Sequence, residues 1–232
     1  MACTRHLMAS PMKLLYQSHS PYARKVLVFA HEAGMAERIE VIHHETSPVH
    51  RNGDVFALNP LGKVPVLVCD DGTVLFDSSV ICEYLDGLHD RPMLIPSERS
   101  RRFQALRNQA VATGLADAGI AARWESTRRP EALRWPTMLE GQLQKVIATC
   151  DYLEDYVQDH DTLDVGDIAL ACALSWVEFR RVHDFQPGRP RLSAWYRQLC
   201  ARPSMMATQF SGNTIDQPQP AHPGGIDAVA MV

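Results

Sequence analysis

Residues 13–26 read KLLYQSHSPYARKV. Lys13, Leu14, Leu15 and Tyr16 predict a strand, and the polar stretch through Ser20 predicts a turn. Beyond it, Val26, Phe29, Ala30 and Ala33 recur at i, i+3, i+4, i+7, the period of a helix with one apolar face. Pro21 suits the first helical position, where its missing N–H costs nothing, and Ser20 suits the N-cap before it. Gly34 ends the helix in the left-handed position after the cap. A strand feeding a helix through a polar junction opens an α/β unit.

The residues that follow continue that unit. Ile39 to His43 reads as a second strand, and Thr46 to Pro60 as an irregular loop with at most a short helix. Val64 to Cys69 is a β-branched run interrupted by Pro65, Asp70-Asp71-Gly72 is a turn, and Thr73 to Phe76 returns as a strand, a hairpin signal. Val80, Ile81, Tyr84, Leu85 and Leu88 mark an amphipathic helix. The order β-α-β-loop-β-β-α predicts one mixed four-stranded sheet with helices on its faces over residues 13–90, preceded by an N-terminal extension over 1–12. Residues 91–100 carry prolines and charges without a period and read as a linker. From 101 to 210 the pattern is all helical. Leu139, Leu143, Val146, Ile147, Cys150, Leu153 and Val157 hold one stripe, and Ile168 to Phe179 is apolar nearly all round, as expected of a buried central helix. Asp164 caps that helix, and Asp167 adds negative charge at its positive end. Residues 211–232, rich in Pro, Gly and Gln, read as a tail.

Composition narrows the function classes. The 232 residues are 46% hydrophobic and 22% charged, which fits a globular chain, and the net charge of −4 lacks the basic surplus of a nucleic-acid binder. The longest apolar run, 168–177, is about half of what spans a bilayer, and the first residues lack the apolar core of a signal peptide, so neither membrane insertion nor secretion is expected. The six cysteines, at 3, 69, 82, 150, 172 and 200, form no C-x-x-C pair and read as free thiols of a cytoplasmic protein.

Three polar features interrupt this pattern. At the first, Ser20 is either only a cap or a hydroxyl that, with the helix start, stabilises a thiolate. At the second, in residues 59–67, NPLGKVPVL, Pro65 is either a strand-edge proline or the second residue of a cis bond. A cis bond would turn the N–H and C=O of Val64 toward a ligand. At the third, Asp77, Ser78 and Ser79 open a helix, as caps or as a carboxylate-binding helix start.

Taken in order, the runs SPYARKV, NPLGKVPVLV, LFDSSVICEYL and GDIALACAL resemble the bacterial cytosolic glutathione S-transferase family over residues 13 to 208. The resemblance implies a thioredoxin-like first domain that binds glutathione and an all-helical second domain, with a site for a small hydrophobic electrophile between them. It implies a homodimer and no metal. Ser20 falls at the thiolate-stabilising position, with Ser18 as the rival hydroxyl. Ser20 and Ala23 replace the two cysteines of the C-P-Y-C motif of the related glutaredoxins, so dithiol chemistry is excluded. Val64, before a cis Pro65, pairs with the cysteinyl backbone of glutathione; Asp77 and Ser78 hold its γ-glutamyl end; Lys63 reaches its glycyl carboxylate. The family often has Glu where Asp77 stands, so the reach to the glutathione amine is shorter here. The implied function is a glutathione S-transferase. The alternatives are a non-catalytic binding protein of the same fold, or a glutathione-dependent dehalogenase or reductase.

The remaining polar residues have plainer readings. His43-His44 ends a strand without partners at metal-ligand spacing, and Cys82 and Cys172 sit on apolar helix faces. Trp124, with Arg123 beside it, is a candidate for the electrophile pocket that the sequence alone does not place.

Overall fold

The computed structural model describes residues 11–157 and 162–214. The first domain contains β1 (Met12–Tyr16), α1 (Pro21–Glu32), β2 (Ile39–His43), α2 (Gly53–Leu58), β3 (Val66–Val68), β4 (Val74–Leu75) and α3 (Ser78–Asp86). The sheet order is β2-β1-β3-β4, with β1 parallel to β2 and antiparallel to β3. This is the expected thioredoxin-like mixed sheet. Leu14 and Leu15, on opposite faces of β1, are both buried: Leu14 packs with α1 and α3, and Leu15 with Val55 of α2 and Val66. The helical domain contains α4 (Arg99–Arg123), α5 (Pro136–Tyr156), α6 (Val165–Phe179), α7 (Pro190–Cys200) and α8 (Pro203–Ala207). A π-type turn, Trp124–Arg128, extends α4.

One hydrophobic core crosses the domain boundary. Val26, Phe29, Ile81 and Leu85 of the first domain share it with Ile168, Ala171 and Cys172 of α6. The two helical neighbours α4 and α6 approach closely at Gly166, where a Cβ would stand 2.6 Å from that of Asn108. Asp164 and Asp167 form a reciprocal capping box: Asp164 Oδ1 accepts from the Asp167 N–H at 3.1 Å, and Asp167 Oδ2 accepts from the Asp164 N–H at 3.0 Å. Asp167 therefore supplies a hydrogen bond as well as charge. Cys82 and Cys172 are buried, and burial pushes both thiols up to about 12, so they are core residues rather than reactive ones.

Several details depart from the sequence expectation. β1 begins at Met12 and α4 at Arg99, just outside the boundaries set by composition. The linker is pinned: the buried Asp86 carboxylate accepts the N–H groups of Leu94 and Ile95, each at 2.9 Å. The α5 stripe is buried only from Val146 onward, and Ile147 is exposed, because helical period identifies a face but not where its cover stops. Residues 211–214, at the start of the expected tail, fold back on the first domain. The Ser211 N–H donates to the Ser18 carbonyl at 3.1 Å, and Ser18 Oγ donates to the Ser211 carbonyl at 2.9 Å. The rest of the tail and most of the N-terminal extension lie outside the described residues.

Candidate functional site

A cleft of about 730 Å³ separates the two domains. Its β-domain wall includes His19, Ser20, Phe56, Gly62, Lys63 and Val64. Its helical wall includes Asp117, Arg123, Trp124, Trp176 and Arg180, with Thr214 closing one side.

Ser20 is the N-cap of α1, and its Oγ accepts the Ala23 N–H at 3.2 Å. That bond uses a lone pair and leaves the hydroxyl hydrogen free to donate. Ser20 is only 7% exposed, so a partner there is met in a largely dry setting. The rival, Ser18, does not line the cleft, and its hydroxyl is given to Ser211. Tyr22 does line the cleft, but its phenol donates to Asp117, and burial with that contact raises its pKa well above the ordinary value.

The loop before β3 is fastened by side chains that the sequence reading did not single out. Asn59, buried, accepts the Leu61 N–H at 3.0 Å and donates to the Lys63 carbonyl at 2.8 Å. Thr46 Oγ1 donates to the Gly62 carbonyl at 2.8 Å. Gly62 has φ 61°, and a Cβ there would lie 2.2 Å from the Phe56 ring, so the position demands glycine. The Val64–Pro65 peptide is cis. Among the described residues, no backbone hydrogen bond uses the N–H or C=O of Val64.

Asp77 and Ser78 are not in the cleft lining. They stand at the start of α3, where Asp77 Oδ1 caps the Ser79 N–H at 2.9 Å and Ser78 is buried. The structure thus brings Ser20, Lys63 and Val64 to one cleft, and leaves Ser18, Pro65, Asp77 and Ser78 outside its lining.

Two buried cations of the SPYARKV run join the domains. Arg24 donates to Ser175 Oγ at 2.6 Å and to the Met205 carbonyl at 2.9 Å. Lys25 Nζ donates to Ser79 Oγ and Gln109 Oε1, each at 3.3 Å, and burial lowers its pKa. His19 is buried beside Ser20; among the described residues its Nδ1 has no hydrogen-bond partner, and its Nε2 stands 3.9 Å from Glu45. Burial brings the His19 pKa down to about 4, so the ring is neutral at pH 7. The Trp176 indole N–H donates to the His19 carbonyl at 3.0 Å, tying the two walls together. Arg123 and Trp124 do line the pocket; Trp176 and Arg180 join them through the packing of α6 on α4, which no local motif announces. His43 and His44 belong to no group of three or more metal-ligating side chains among the described residues.

A thioredoxin-like domain facing a helical bundle across a shared cleft, with a capped helix start and a cis-proline loop on one wall, defines the glutathione transferase type of architecture. Residues 19–88 match the glutathione S-transferase N-terminal domain family, and residues 114–198 match the C-terminal domain family. The chain is 34% identical over 206 residues to the uncharacterized GST-like protein YibF of Escherichia coli K12, covering 85% of this chain and 98% of that one. A glutathione transferase family member from Pseudomonas fluorescens Pf-5, solved with bound glutathione, superposes with a TM-score of 0.83 at 36% identity, over 87% of this chain and all of that one. A second structure from that organism, at 36% identity and a TM-score of 0.78 over 85% of this chain and 98% of that one, holds S-(propanoic acid)-glutathione. The chain belongs to the glutathione S-transferase family.

Proposed function

We propose that the protein is a glutathione transferase that binds glutathione along the β-domain wall and activates its thiol for attack on a small hydrophobic electrophile. The observation that carries this reading is the Ser20 hydroxyl, which caps α1 through its lone pair and keeps its hydrogen for a sulfur in the cleft. Lowering a free thiol near pH 8.5 by two units needs roughly 2.7 kcal/mol. A hydrogen bond to a charged acceptor contributes about 1.5–3 kcal/mol, and a helix N-terminus about 0.3–1 kcal/mol. The two together are of the required size.

The rest of glutathione follows from the surrounding groups. The free N–H and C=O of Val64 pair with its cysteinyl backbone, presented by the cis bond to Pro65. Ser78 and the start of α3 receive the γ-glutamyl carboxylate, and Asp77 the amine. Glutathione must reach past the cleft lining to meet them. Lys63 takes the glycyl carboxylate. In the transfer step the thiolate sulfur forms a bond to the electrophilic carbon, and the leaving group departs with its bonding pair. The Pseudomonas relative solved with glutathione supports this reading. The reading includes a homodimer and a cytoplasmic location, and only the location draws support here, from the free thiols of Cys69, Cys82, Cys150, Cys172 and Cys200.

The test pairs calorimetry with kinetics. Wild type is expected to bind glutathione and to conjugate a chloronitrobenzene. Ser20→Ala is expected to slow conjugation roughly 10-fold or more and to raise the apparent thiol pKa in the complex. An unchanged rate and pH profile would reduce Ser20 to a cap. No heat at millimolar glutathione would favour a non-catalytic binding protein.

A further inference from the structure

The chain carries a net charge of −4, yet its cleft has the opposite sign. Arg51, Lys63, Arg123 and Arg180 line it against one carboxylate, Asp117, which already accepts from the Tyr22 hydroxyl. The cations divide by wall. Arg51 and Lys63 flank the Val64 loop, and the Arg51 guanidinium lies 4.2 Å above the Phe56 ring. Arg123 ends α4 and Arg180 follows the last residue of α6, so both stand on the helical wall.

Arg180 is under-satisfied. Among the described residues, its Nε and Nη2 are buried without hydrogen-bond partners, and its Nη1 reaches the Gly212 carbonyl and Asn213 Oδ1 only at 3.5 Å each. Buried guanidinium nitrogens with unused donors are costly, even on a half-buried residue, unless something supplies acceptors. Among the described residues, neither Arg123 nor Arg180 belongs to an ion pair with an acid. Burial, and then the charges of Arg123 and Arg128, bring the Arg180 pKa down to about 10, with the Glu45 carboxylate opposing them only in part. Arg123 is lowered for the same reasons, burial first and Arg128 second. The negative ends of α4 and α6 help the fold tolerate two such cations, but a helix end offers no planar acceptor that fills a guanidinium fork.

We propose that the electrophile carries a carboxylate, bound by Arg180 and Arg123 on the helical wall while glutathione occupies the other wall. This rests on the glutathione reading and adds the substrate class. A carboxylate offers two oxygens to the paired donors of a guanidinium, a charge-assisted and geometrically matched contact. Trp124 and Trp176, on the same wall, receive the hydrophobic skeleton of the molecule.

The test is calorimetric titration of the full chain with two adducts that differ only at the tail, S-(2-carboxyethyl)glutathione and S-(2-carbamoylethyl)glutathione. Both contain the two carboxylates of glutathione itself, so their affinity ratio reports the tail alone. The acid is expected to bind roughly 10-fold tighter than the amide. Arg180→Gln is expected to bring the ratio close to one, with the loss falling on the acid. Arg123→Gln, at a position that leaves the buried donors of Arg180 in place, is expected to reduce the ratio as well and guards against misfolding of the first variant. Equal affinities in wild type, or an acid preference retained in both variants, would overturn this inference and leave the glutathione reading standing. Failure of both adducts to bind would overturn both.

Discussion

The two walls of the cleft are built by different rules. On the β-domain wall, the groups that matter are backbone atoms and a small hydroxyl, fixed by neighbours close in sequence. Ser20 caps its own helix, and Asn59 fastens the loop that presents Val64. On the helical wall, Arg123 and Trp124 come from the end of one helix, and Trp176 and Arg180 from the end of another. The first wall leaves backbone donors and acceptors ready for a peptide-like ligand. The second leaves two buried guanidinium donors of Arg180 without a partner among the described residues. On the reading proposed above, the choice of co-substrate would rest on local geometry, which cannot change without disturbing the loop. On the same reading, the choice of electrophile would rest on side chains at helix ends, which can change while the helices keep their packing.

The most damaging way to break the first wall is Gly62→Val. The left-handed backbone and the Phe56 ring both oppose a side chain there, at a combined cost of roughly 2–5 kcal/mol. Chemical denaturation should register that loss, and glutathione titration should register weaker binding, because the same loop carries Val64. The connection between the walls is tested by Trp176→Phe. Removing the indole donor leaves the His19 carbonyl without its partner in a buried site, at roughly 1–3 kcal/mol. A denaturation midpoint equal to wild type would mean that this bond adds nothing to the apolar packing and to the Arg24 and Lys25 hydrogen bonds that also join the domains.

This contrast also explains what was legible in the sequence. A helix cap and a hairpin turn are local demands, so the sheet and the Ser20 cap could be read directly, whereas the choice between a strand-edge proline and a cis bond at Pro65 stayed open until the structure showed the cis peptide. Arg24 and Lys25 could not, because charged side chains in a helix read as surface until the partner domain supplies Ser175, Met205 and Gln109. Arg123 and Trp124 drew notice by type, but nothing local ties them to Arg180. The burial limit of the α5 stripe was hidden for a similar reason: the end of its cover depends on helices elsewhere in the chain.

Acid offers a milder perturbation, centred on His19. Its folded pKa, about 4, lies below the ordinary 6.5. Between those values the unfolded chain binds a proton that the folded chain refuses, so stability falls as pH drops from 6.5 toward 4. His183 is shifted the same way, first by burial and then by Arg189. Glu32 acts lower on the scale: Arg202 depresses its pKa below 4.5, so its contribution is lost only as pH falls beneath that value. Comparing melting midpoints at pH 7 and pH 5 therefore isolates the histidines, and His19→Asn should show a smaller difference than wild type. An equal difference would assign the acid sensitivity to His183.

The smallest expected effect separates the two serines. Ser18 has an exposed hydroxyl that donates to the Ser211 carbonyl, and it stands outside the cleft lining. Ser18→Ala removes one surface hydrogen bond, worth about 0.5–1 kcal/mol, and loosens the return of residues 211–214. The backbone bond from the Ser211 N–H to the Ser18 carbonyl remains in the variant and limits that loosening. Conjugation should therefore stay within about twofold of wild type, since the lost bond lies at the surface, outside the cleft lining. A loss as large as that of Ser20→Ala would mean that the hydroxyl at Ser18 turns from Ser211 toward the sulfur once glutathione is bound, and the division of labour between the serines would have to be reversed.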